Sequence, residues 1–260
     1  RGHREEALRA LQQAVELDPR NYFIMQQIAL TYRDLRAYPE EIAFLDRALS
    51  IVPKDVTTKV ARALVDFEWK ADTKPLHEAI DSILARDPGA ISDAVDNYLL
   101  CALAEGDSVA AERALTIIGS NPWWTEGGVV LSRSFGEGLL ARMMKDEARA
   151  RSAFSKARAE QEKIVQAQPD YGPPLCVLGL IDAALGDKEN ALKEGRRAIE
   201  LLPVGKDSSN GSRMIQYFAV TAAWTGEKQI ALQQMTTGAR LPATSLVFHV
   251  GALNAWPFWR

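Results

Sequence analysis

Glu5–Pro19 reads EEALRALQQAVELDP and Glu189–Pro203 reads ENALKEGRRAIELLP. Both phrases set alanines seven apart, Ala7 and Ala14 in one and Ala191 and Ala198 in the other, and both end on proline. Seven residues is close to two helical turns, so each pair shares a helix face where a short side chain lets a neighbouring helix approach. The proline lacks a backbone N–H and clashes with the preceding turn, so it closes the helix. Pro19, Pro53, Pro88, Pro122, Pro169, Pro203 and Pro242 follow comparable apolar runs at spacings of 34, 35, 34, 47, 34 and 39 residues. A period near 34 holds two helices of about a dozen residues with their turns, and a fixed period of that size marks a solenoid. Apolar positions recur at three and four residues rather than alternating, so strand signals are nearly missing.

Between the helices of a unit lie short turns such as AEGD (104–107), LGDK (185–188) and TGEK (225–228). Glycine there can adopt the left-handed conformation that closes a helix C-terminus. The units read as a leading half-repeat at 1–19, repeats at 20–53, 54–88, 89–122, 123–169, 170–203 and 204–242, and a C-terminal cap at 243–260. The segment from Pro122 to Pro169 is 13 residues longer than 34, and Glu147–Gln168 reads as one helix of about 22 residues that accounts for the excess. Glu5 opens what reads as a second helix with no first helix before it, so the array is expected to begin inside a repeat. In the tail, Trp256, Phe258 and Trp259 are expected to cover the last apolar face, as the end of a repeat array requires.

This pattern resembles the tetratricopeptide repeat, a helix-turn-helix unit of 34 residues. The second repeat carries the resemblance in Met25, Ile28, Ala29, Tyr32, Leu45, Ala48 and Pro53, and the third in Val60, Ala63, Leu64, Phe67, Leu76, Ile80 and Pro88. Leu175, Leu178, Gly179, Ala191, Ala198 and Pro203 continue it near the other end. The resemblance implies an all-α, right-handed superhelical solenoid of helical hairpins. Phrases such as NYFIMQQIALTYRDL (21–35) and QAQPDYGPPLCVLGL (166–180) are also similar to C-terminal arrays of bacterial multidomain signalling proteins. In those proteins the array follows a serine/threonine kinase, a nucleotide cyclase or a winged-helix domain, which implies a regulatory or scaffolding module here.

The 260 residues are 47% hydrophobic and 25% charged, enough for a sizeable core. A net charge of -3 with no clustered basic face argues against a nucleic-acid platform. No uninterrupted apolar run reaches about 18 residues, so no membrane contact is expected here, and the charged start, Arg1 to Glu6, is not a secretory signal. Cys101 and Cys176 sit singly in apolar runs and read as small buried hydrophobes. They suit the cytoplasm, with the periplasm as the alternative if a membrane segment precedes this stretch.

Chemistry-bearing residues are sparse. His3, His77 and His249 show no HxxxH or HExxH spacing, so neither a metal nor a cofactor is expected. RSFGEG (133–138) lacks the strand and the Lys-Ser/Thr of a phosphate loop, and helix packing explains its glycines better. GKDSSNGS (205–212) reads as turn and capping residues. Carboxylates are plentiful, and pairs such as Asp93 and Asp96 could in principle do acid–base work, but three apart on a helix they more often form a solvated or ligand-facing edge, and no catalytic residue is expected. Asp182 falls where the repeat usually puts a large apolar ring, and is expected to accept hydrogen bonds from a neighbouring turn or to face the groove.

In the repeat family the first helices of the units line a concave groove. By that register the inner positions are Phe23, Gln26, Gln27, Leu30, Arg33 and Asp34, then Thr58, Arg62, Val65, Glu68 and Trp69, then Asp93, Asp96, Asn97 and Leu100. Arg213, Gln216, Tyr217, Val220 and Trp224 continue them. Aromatic rings beside amides and guanidinium groups suit an extended peptide, so the expected partner is a protein or peptide held in an open groove. Self-association through the exposed ends is the architectural alternative, and an accessory enzyme using acidic groove residues is the weaker one. Trp123 and Trp124 are expected to brace the long helix.

Overall fold

The computed structural model describes residues 4–241 and 245–255. A single helix, α1 (Arg4–Leu17), precedes six pairs: α2 (Tyr22–Asp34) with α3 (Tyr38–Ile51), α4 (Val56–Lys70) with α5 (Lys74–Arg86), and α6 (Val95–Glu105) with α7 (Ser108–Ile118). After these come α8 (Arg133–Met143) with α9 (Glu147–Ala167), α10 (Gly172–Leu185) with α11 (Lys188–Leu201), and α12 (Asn210–Trp224) with α13 (Lys228–Ala239). A last short helix, α14 (Val250–Ala255), ends the described chain.

Local chemistry sets these boundaries. Gly106, Gly186 and Gly226 take φ of 74°, 86° and 79° between the helices of a pair. At the first two turns an aspartate follows and caps the next helix: Asp107 accepts from Val109 and Ala110 N–H, Asp187 from Asn190 N–H. Asp146 does the same for α9. Where no glycine is present, Arg36, Ala71 and Lys145 adopt the left-handed turn themselves, at a cost of about 1 kcal/mol each. Between α10 and α11 the small-residue faces meet: a Cβ on Gly172 or Gly179 would lie 2.7 or 2.9 Å from the carbonyl oxygens of Ala198 and Ala191. Ala7, by contrast, is exposed on α1.

One expectation needs correction. The excess length before Pro169 does not come from the long helix alone: α9 has 21 residues, but a hairpin of β1 (Trp124–Glu126) and β2 (Val129–Leu131) also precedes α8. Gly127, at φ 58°, supplies the turn, and Trp124, Val129 and Leu131 bury one face. Trp123 is held against α6. Its ring is buried and its Nε1–H donates to Asp96 O at 3.3 Å.

The array curls until its ends meet: Arg36, just after α2, donates from Nη1 to Ala239 O and Leu241 O at 3.2 and 3.3 Å. Residues 245–255 then run back over the inner helices. Phe248 sits 3.5 Å from where a Cβ on Gly238 of α13 would lie, and α14 packs on α4 and α6. Leu246, Val247, Phe248 and Ala252 join the same core as Phe67, Tyr217 and Val220. At Gly251 any Cβ would collide with the Phe67 carbonyl oxygen, so glycine permits this approach. Trp256, Phe258 and Trp259 lie outside the described residues.

Candidate functional site

The inner helices carry the expected groove residues, save Asp93, which lies in a short 3-10 segment (Pro88–Ala94) before α6, and the structure divides them into three groups. The first group is buried by the chain itself. Val65, Glu68, Leu100, Gln216, Tyr217 and Val220 have at most 1% of their surface exposed, which corrects the expectation of an open inner wall along the whole array. The hairpin and the C-terminal segment cover part of this wall, and both meet at Glu126. Its carboxylate accepts from Tyr217 Oη at 2.6 Å and from Leu246 N–H at 3.1 Å. Burial raises the Glu126 pKa, while Arg213, Tyr217 and the Leu246 amide oppose the rise.

A second group is engaged with other side chains and lines neither of the cavities described next. Arg62 pairs with Asp46 of α3 and with Asp66, both at 3.0 Å. Trp69 stacks on Tyr38 with centroids 5.7 Å apart and carries Lys70 Nζ 4.7 Å above its ring. Trp224, half-buried, lies under the Arg142 guanidinium at 4.3 Å.

The third group converges. Leu30, Arg33, Asp34, Asp93, Asp96, Asn97 and Arg213 line one cavity of about 400 Å³ with Trp124, Thr125 and Glu126 of the hairpin. A second cavity of about 290 Å³ adjoins it, formed by Phe23, Gln26, Gln27, Leu30, Arg33 and Thr58 with Glu41 and Leu45. Leu30, Arg33, Thr57, Ala61 and Leu64 border both, so the two form one cleft between α2 and α4. Phe23 and Leu30 are 59% and 50% exposed along it.

Electrostatics in the cleft are balanced within the protein. Arg33 makes a bidentate ion pair with buried Glu68, its Nε 2.8 Å from Oε2 and its Nη2 on Oε1. Burial works to lower the Arg33 pKa and the Glu68 carboxylate overrides it, so the net shift is upward. Glu41 is pushed up to about 8 by burial first and by Glu68 second. Asp96 is raised by burial, although the N–H and side-chain amide of Asn97 hold its Oδ1 at 2.8 and 2.9 Å. Gln26 Nε2 donates to Thr58 Oγ1 at 2.6 Å, fixing the far wall. Three buried polar atoms of the cavity lining, Asn97 Oδ1, Trp124 Nε1 and Arg213 Nε, have no hydrogen-bond partner among the described residues. Such groups cost about 1–3 kcal/mol each when left unmet.

Elsewhere, Asp182 is fully buried in α10, but its partner is not a neighbouring turn. Arg158 of α9 donates from Nε to its Oδ1 at 2.6 Å. Gly138 lies within α8 with the Phe154 ring where a Cβ would stand. His249 is buried, its Nδ1 accepting from Ala252 N–H at 3.1 Å, and burial lowers its pKa to about 4. His77 is not isolated: its Nδ1 stands 2.7 Å from Glu105 Oε2, 28 residues on. No helix among the described residues is long and apolar enough to cross a membrane.

No protein-family model and no curated protein matches this chain. Among solved structures it is similar to a tetratricopeptide repeat protein from Parabacteroides merdae, with TM-score 0.55 and 15% identity over 92% of this chain and 87% of that one. Yeast Tom70 is similar with TM-score 0.50 and 14% identity, over 92% of this chain and 48% of its own. These likenesses concern the fold, which is that of a tetratricopeptide-repeat superhelix of helical hairpins.

Proposed function

We propose that the chain is a non-catalytic interaction module that holds an extended polypeptide segment of a partner protein in the cleft between α2 and α4. The observation that carries this reading is the pairing of exposed Phe23 and Leu30 with three unmet polar atoms, Asn97 Oδ1, Trp124 Nε1 and Arg213 Nε, around the adjoining cavities. A peptide unit offers an N–H to the acceptor and a C=O to the donors, while apolar side chains fit against the two exposed hydrophobes. Asp96 is committed to Asn97, which favours a structural role for the Asp93–Asp96 pair over acid–base work. As in the signalling proteins the sequence resembles, the module is read as the interaction arm of a larger bacterial protein.

Selection of a random peptide library tests this. Wild-type protein is expected to enrich peptides that bind Leu30→Glu at least tenfold more weakly, with the variant's circular dichroism unchanged. Failure to enrich, or enriched peptides that bind the variant equally, contradicts the reading. A light-scattering mass of twice the monomer in the same samples favours the architectural alternative, for which Leu17, 88% exposed on α1, is a contact candidate.

A further inference from the structure

Helix α5 carries His77 and Asp81, and α6 carries Cys101 and Glu105. Residues four apart on a helix stack one turn above another, so each helix offers two donors on one face. The structure turns these faces toward each other. His77 Nδ1 lies 2.7 Å from Glu105 Oε2, and His77 Nε2 lies 3.3 Å from Asp81 Oδ2. The ligand atoms of His77, Cys101 and Glu105 all lie within 4.8 Å of one another. They open on a cavity of about 300 Å³ whose apolar wall includes Ile80, Leu84 and Tyr98.

We propose that His77 through Nδ1, Cys101 and Glu105 bind a zinc-type divalent transition metal that clasps α5 to α6, the fourth position being left to solvent, while Asp81 accepts from the ring's other nitrogen and fixes its orientation. Imidazole, thiolate and carboxylate together suit a borderline-soft tetrahedral ion, whose bonds of about 2.0–2.3 Å put ligand atoms roughly 3.5 Å apart. The His77–Glu105 pair, at 2.7 Å, must therefore open by a little under an ångström, and the remaining separations, which are within 4.8 Å, must settle to the same value. Half-exposed His77 and partly exposed Glu105 have the freedom to do so, while buried Cys101 is the fixed point. The charge balance also favours a cation. Asp81, Glu105 and Asp107 line the cavity against one guanidinium, Arg113.

Co²⁺ titration of the chelator-stripped protein tests the site. One equivalent is expected to produce tetrahedral d–d bands and a thiolate charge-transfer band, both abolished by excess Zn²⁺. Cys101→Ser is expected to remove the charge-transfer band, and His77→Ala to weaken Co²⁺ binding at least tenfold; His77 is exposed enough for that variant to fold. Zn²⁺ should also raise the thermal midpoint of wild type and not of His77→Ala. Absence of the charge-transfer band in wild type, or its persistence in Cys101→Ser with loss in Cys176→Ser, overturns the proposal.

Discussion

Tyr217 donates a 2.6 Å hydrogen bond to Glu126 across 91 residues, and the same carboxylate accepts the Leu246 amide at both oxygens. One side chain thus joins α12, the hairpin and the C-terminal segment. Glu126→Ala strands two donors and is expected to lower stability by about 3 kcal/mol, with Tyr217→Phe costing about 1.5 kcal/mol. Urea unfolding measures both, and equal midpoints for wild type and Glu126→Ala would refute the junction.

The Arg158–Asp182 pair ties α9 to α10 with one partner fully buried. Removing the partner of a buried acceptor costs about 1–3 kcal/mol, so Arg158→Ala is expected to lose that much. Asp182→Leu in the same background, which replaces the stranded buried acid with an apolar side chain, should recover most of it. No recovery in denaturant melts would indicate that the acid is needed for another reason.

Glu41 and Glu194 are each pushed up to about 8, Glu41 by burial and then Glu68, Glu194 by burial and then Asp182. A carboxyl whose folded pKa exceeds its unfolded value of about 4.5 keeps more protons in the folded state between those limits, so stability falls as pH rises from about 4.5 to 8. Glu41→Gln should flatten part of that decline. Thermal midpoints across this pH range would contradict the account if the variant followed the wild-type slope.

Phe23 and Leu30 lie on the cleft, whereas Phe67 is fully buried beneath α14. Phe23→Ala and Leu30→Ala are expected to change stability by no more than about 0.5 kcal/mol, and Phe67→Ala to cost about 3–5 kcal/mol. Calorimetry showing a comparable loss for the exposed pair would move these residues from binding surface to core.

The helical pairs were legible in the sequence because their signals are local: glycines at 106, 186 and 226, capping aspartates at 107, 146 and 187, and a proline after each outer helix. The hairpin was harder to see. Gly127–Gly128 before Val129–Val130–Leu131 is a turn signal, but strands of three residues show too little alternation to register. The cleft residues were placed by register alone, and that register also swept in Tyr217, Gln216 and Glu68. Their burial depends on the array curling far enough for Arg36 to reach Leu241 and for residues 245–255 to return across α4. His77 and Cys101 come together because the neighbouring helices α5 and α6 face each other and unite donors that no short motif spans.

The protein's own C-terminal segment occupies part of its inner face and leaves the α2–α4 cleft open. Hydrogen–deuterium exchange of the full chain tests it most directly. Amides from Leu246 to Leu253 are predicted to exchange as slowly as those of α4, and Gly251→Ala, which forces a Cβ against Phe67, to accelerate them. Complete exchange of that segment at the earliest time point in the wild-type protein, with α4 still protected, would contradict the account.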